Sequence, residues 1–74
     1  MDRQKMYDWI SALTDDIVFT YNGKHCLIMP YSAHKILLSY GDKDKMYQDI
    51  DALMSDNFFD GKSLIDILDQ IDFD

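Results

Sequence analysis

Three side chains in this sequence are candidate soft metal ligands, or a nucleophile with its base: His25, Cys26 and His34. A structural zinc site needs four donors in closely spaced pairs. No C-x-x-C or H-x-x-x-H spacing is present, so no complete ligand set is expected. Within an extended segment adjacent side chains point to opposite faces, which keeps His25 from reaching Cys26 as a Cys–His pair. Cys26 is therefore expected to be a small buried hydrophobe, and both histidines are expected at the surface. Oxygen ligands are abundant, since all 14 acidic residues are Asp. Neither Asp-rich loop fits calcium, however. Counted from Asp42, an EF-hand register puts Met46 at position 5 and Leu53 at position 12. Counted from Asp56, it puts Phe58 at position 3 and Ile67 at position 12. These aspartates read as turn formers and helix caps. Gly23, Gly41 and Gly61 are separate turn positions, not a phosphate-binding loop. The expectation is a chain without cofactor, metal or catalytic residues.

Charge is unevenly placed. Residues 1–40 balance four Asp with Arg3, Lys5, Lys24 and Lys35, while residues 41–74 hold ten Asp against Lys43, Lys45 and Lys62. The net charge of −7 thus belongs to the second half. Such a field repels nucleic acid and anionic membranes and favours basic protein partners.

The elements that must position these residues are legible in part. Met6, Trp9, Ile10 and Leu13 fall at i, i+3, i+4, i+7 and predict a helix over 3–13, ended by Thr14, Asp15 and Asp16. Residues 17–21 and 24–29 flank Asn22-Gly23, the strongest short hairpin signal. A two-residue turn pairs Tyr21 with Lys24, Phe19 with Cys26 and Ile17 with Ile28 on a core face. Val18, Leu27 and Met29, with Thr20 and His25, lie on the other face. Pro30 ends the second strand. Residues 35–40 fit both periods; a strand is preferred because a third strand gives the hairpin a sheet. Lys45–Gln48 is a candidate short edge strand. Asp49 caps a helix carrying Ile50, Leu53 and Met54. Asp60 caps another from Gly61 to about Ile71, with Leu64, Ile67, Leu68 and Ile71 as its stripe and Asp66 and Asp69 facing water.

The fold expected is α+β, a single domain over 1–74: an N-terminal helix, a three-stranded antiparallel meander and two C-terminal helices. Whether helices cover both faces of the sheet or only one is left open by the pattern. The apolar runs are too short to span a membrane, and Asp8 interrupts the N-terminal amphipathic stretch where a signal peptide would be apolar. A lone cysteine fits a reducing compartment. A cytoplasmic protein is expected. Tyr21-Asn22-Gly23-Lys24 before an apolar strand, and Asp60-Gly61-Lys62-Ser63-Leu64-Ile65-Asp66-Ile67-Leu68, resemble short uncharacterised proteins of Gram-positive bacteria and their mobile elements. The resemblance implies no assigned activity and no site residue; it points toward a phage-type accessory or inhibitor protein. Three functional readings follow. The first is a non-enzymatic protein-binding or regulatory module using Val18, Leu27 and Met29, with or without the acidic Asp66 and Asp69, and able to pair as a homodimer. The second is an acidic mimic of nucleic acid that inhibits a nucleic-acid-binding protein. The third is a small enzyme or metal protein.

Overall fold

The computed structural model describes residues 2–13 and 15–73. Thr14, expected to help end the first helix, and Asp74, expected to extend the acidic tail, lie outside the described residues. Helix α1 (Arg3–Ser11) begins at Asp2, whose carboxylate accepts the Lys5 N–H at 2.8 Å. Met6 and Ile10 are fully buried along it, and Trp9 is half-buried. Leu13 leaves the expected stripe. The helix stops at Ser11, Leu13 takes a left-handed φ of 58°, and its side chain is 39% exposed.

Strands β1 (Ile17–Tyr21), β2 (Lys24–Ser32), β3 (Lys35–Tyr40) and β4 (Lys43–Tyr47) follow one another as antiparallel hairpins. The β1–β2 register is the one the Asn22-Gly23 turn dictates, from Tyr21 opposite Lys24 to Ile17 opposite Ile28. Both turn residues have positive φ, 54° and 75°, as a type I′ turn requires. Pro30 does not end β2. The register shifts between Pro30 and Ser32, and the bulge carries the strand on to Ser32. Residues 35–40 are the strand preferred from the sequence, and β4 is longer than the edge strand expected at Lys45–Gln48.

The three-stranded meander is corrected to a five-stranded antiparallel sheet of order β4-β3-β2-β1-β5. The fifth strand, β5 (Asp72–Phe73), pairs with Thr20 and Phe19. It lies just beyond the long helix expected over Gly61–Ile71. Within that segment stand only helix α3 (Leu64–Ile67) and one 3₁₀ turn (Leu68–Gln70), and the extended Ile71 leads on into β5. Asp60 is not its cap. Asp60 and Gly61 have φ of 54° and 88° and close a tight turn in which the Phe59 and Lys62 backbones bond to each other. The cap is Ser63, which forms a reciprocal capping box with Asp66. Helix α2 (Ile50–Ser55) is capped by Asp49 as expected, with the Ala52 N–H at 2.7 Å.

All three helices contribute to one core. Met6, Ile10, Ile50, Leu53, Leu64 and Ile67 pack with Ile17, Phe19, Cys26, Ile28, Ile36, Leu38, Tyr40 and Tyr47, which all come from one side of the sheet. Phe19, Tyr21, Tyr40 and Phe59 form a chain of ring contacts, with centroids 5.1–6.3 Å apart. Phe73 reaches Trp9 at 5.4 Å and Phe19 at 5.9 Å, joining the fifth strand to the first helix.

Candidate interaction surface

Because side chains alternate along a strand, the positions between the core residues face the other side of the sheet, and the buried residues of the helices all join the core side. The choice left open by the sequence is thereby resolved: the helices lie on one side only. In an ordinary two-layer domain the outer positions would be polar. Here Val18 and Leu27 stand opposite each other, and Met29, Leu37 and Met46 form a row across β2, β3 and β4. Val18 and Met46 are each 44% exposed, while Leu27, Met29 and Leu37 are half-buried. The three hairpin residues singled out in the sequence thus occur together on the open face. Leu37 and Met46 belong to the same patch. Their alternation with Ile36, Leu38 and Tyr47 was the available signal for them.

The two ends of this face differ. Towards the Asn22-Gly23 and Gly41-Asp42 turns lie Thr20, His25, Ser39, Asp44 and Asp72, with the Ser39 hydroxyl donating to the Asp44 carboxylate. Towards the Ala33-His34 turn lie Tyr31, 56% exposed, and Lys35, whose ammonium sits 5.9 Å from the Tyr31 ring centroid. The outward strand positions therefore carry one Lys against two Asp. Most of the chain's charge of −7 lies elsewhere.

Much of that remaining charge is occupied in holding the fold. Asp56 accepts from the Tyr47 hydroxyl at 2.6 Å and from Lys45 at 2.9 Å. These two bonds hold its carboxyl below the usual range, Tyr47 having the larger effect. Burial, and then Asp56 itself, pushes the Tyr47 phenol well up. A parallel arrangement binds the Tyr40 hydroxyl to Asp60 at 2.7 Å, with Lys43 at 3.9 Å. Asp66 accepts the Ser63 N–H at 3.1 Å, and that backbone bond, followed by the Ser63 side chain, lowers its pKa. Asp66 and Asp69 are both exposed. Asp66 completes the capping box of α3, whereas Asp69 lies on the 3₁₀ turn that follows.

His25 and His34 lie at the surface and Cys26 is buried, a free thiol that burial pushes up to about 11. Among the described residues no three His, Cys or Asp side chains converge as metal ligands, and no helix is long and apolar enough to cross a membrane. On the helical side a half-open groove of about 430 Å³ is lined by Arg3, Tyr7, Asp51, Met54 and Ile65 among others. In it the Ser55 hydroxyl donates to the Asp51 main-chain carbonyl at 2.8 Å. Compared with known proteins, the chain matches no family model, no curated protein and no solved structure.

Proposed function

We propose that this chain is a non-enzymatic protein-binding module that docks through the open face of its sheet. The observation that carries the reading is the contiguous patch of Val18, Leu27, Met29, Leu37 and Met46 on a face that no layer covers among the described residues. Contiguous exposed apolar surface of this kind usually marks an interaction site. The two methionines add adaptable side chains suited to a contact surface. Asp69, exposed beside the capping box, supplies part of a field that steers basic surfaces. Mimicry of nucleic acid is the weaker reading. A mimic needs carboxylates available in a regular array, and Asp2, Asp49, Asp56, Asp60 and Asp66 are engaged in caps or hydrogen bonds with neighbouring side chains.

The test is binding measured with two surface variants. Leu27→Asp, with its fold checked by circular dichroism, abolishes binding if the sheet face is the site. Asp69→Asn slows association modestly and only at low salt. Binding that survives Leu27→Asp but is lost in Asp69→Asn would transfer the site to the acidic side.

A further inference from the structure

From the charge layout of the open face we infer that its occupant is a second copy of this chain, packed sheet on sheet about a two-fold axis that runs across the strands. The inference rests on the docking role proposed above. It adds the partner and the orientation. An isologous interface must be self-complementary. The open face is: Lys35 marks one end, Asp44 stands toward the other, and the apolar rows lie between. A two-fold axis across the strands reverses the strand direction. It sets the Lys35 end of each copy over the Asp44 end of the other and stacks apolar middle on apolar middle. An axis along the strands would set like ends together. Two sheets packed this way keep their strands nearly aligned, as in a β-sandwich.

The remaining charges permit this approach. With one Lys and two Asp among the outward strand positions, the contact layer holds only −1 of the −7 on each chain. The charges carried by the helices point away from each other. The edge route to association is disfavoured. Strand β4 is an open edge, but it carries Lys43 and Lys45, and charged lysines blunt edge-to-edge pairing. The other edge is two residues long. Strands spaced about 4.8 Å apart make the five-stranded face roughly 20 Å wide, so each copy buries on the order of 500 Å². That is the size of a weak, reversible dimer.

The experiment is sedimentation velocity on the full chain from micromolar concentrations to about 1 mM, at low and high salt. A monomer–dimer equilibrium is expected. It should tighten as salt rises, because salt screens repulsion between two acidic bodies; binding of an acidic face to a basic partner would weaken. Lys35→Glu and Asp44→Lys should each weaken the dimer roughly tenfold, since each converts two symmetry-related attractions into repulsions. The double variant Lys35→Glu with Asp44→Lys should recover most of the loss. Both sites are exposed, so these variants test the dimer without depending on the fold tolerating Leu27→Asp. A strict monomer at about 1 mM would overturn the second-copy assignment and leave docking of a different protein to the Leu27→Asp test. A dimer indifferent to both charge reversals would overturn the orientation and with it the inference.

Discussion

Tyr47 is a core residue with a polar end, and its hydroxyl is bonded to a carboxylate at the protein rim. That carboxylate, Asp56, is held below its usual range by the Tyr47 hydroxyl and Lys45. A lowered carboxylate stabilises the fold wherever it is ionised. The contribution is complete above the unfolded value near ~4 and disappears as pH falls through the lower folded value. Asp66 acts in the same direction through Ser63. Urea midpoints should therefore fall as pH drops below about 4, and Asp56→Asn should lower the midpoint at pH 7 while flattening that acid-side decline. An unchanged pH profile in the variant would show that other carboxylates govern acid unfolding. Tyr47→Phe removes a hydrogen bond to a charged group and should cost about 1.5–3 kcal/mol at neutral pH, read from the same midpoints. Cys26 offers a second residue-level check. It is 2% exposed, and its thiol is raised to about 11, so native protein at pH 8 should react with a disulfide reagent far more slowly than protein in denaturant. Equal rates would place the thiol outside the core.

At the scale of the element, two turns with the same chemistry were not equally legible. Asn22-Gly23 sits between two long β-rich runs, so its positive-φ requirement could be read at once, and the register followed. Asp60-Gly61 makes the same backbone demand, with φ of 54° and 88°. But the flanks it joins are single residues, Phe59 and Lys62, rather than strands. An aspartate ahead of Leu64, Ile67, Leu68 and Ile71 looks like a helix cap, although the true cap lies three residues on, at Ser63. The apolar spacing continues through Ile71 because a helix, a 3₁₀ turn and the extended residue after it all face the same core. Periodicity reports burial there and not conformation. Strand β5 is two residues long, below the length at which alternation is visible. Gly61→Ala isolates the backbone term, because beyond its own chain neighbours nothing lies within 4 Å of the added Cβ. The left-handed φ should cost about 1–2 kcal/mol. Ser63→Ala should cost about 1 kcal/mol by removing the cap. A neutral Gly61→Ala in chemical denaturation would mean that the turn relaxes without strain.

For the whole molecule, the division of labour between the two sides of the sheet is the feature that matters. Its apolar half was legible, since a two-residue turn fixes which side chains share a face, and Val18, Leu27 and Met29 fall together from that alone. Whether the helices cover one face or both was not, because amphipathic helices of this length pack on either face of a hairpin. The charge was legible in amount but not in use, as nothing in the spacing of Asp56 or Asp60 announces a tyrosine partner. Those pairings bear on how the folded molecule responds to salt. Screening weakens exposed local pairs such as Lys45–Asp56 and Lys43–Asp60, each of which contributes little in water. It also relieves the mutual repulsion of a net −7 held within a Cα radius of gyration of 10.9 Å. The repulsion involves many more charge pairs than the two attractions, so the second effect should win. The melting temperature of dilute, monomeric protein should rise by several degrees between low salt and about 0.5 M sodium chloride. For a chain of this size ~1 kcal/mol corresponds to ~4–8 °C. The control is a non-ionic osmolyte at matched osmolality, which leaves the electrostatic term in place. A melting temperature that falls with salt would show that the lysine–aspartate ties outweigh the global field, and that the acidic shell is held together more strongly than it repels itself.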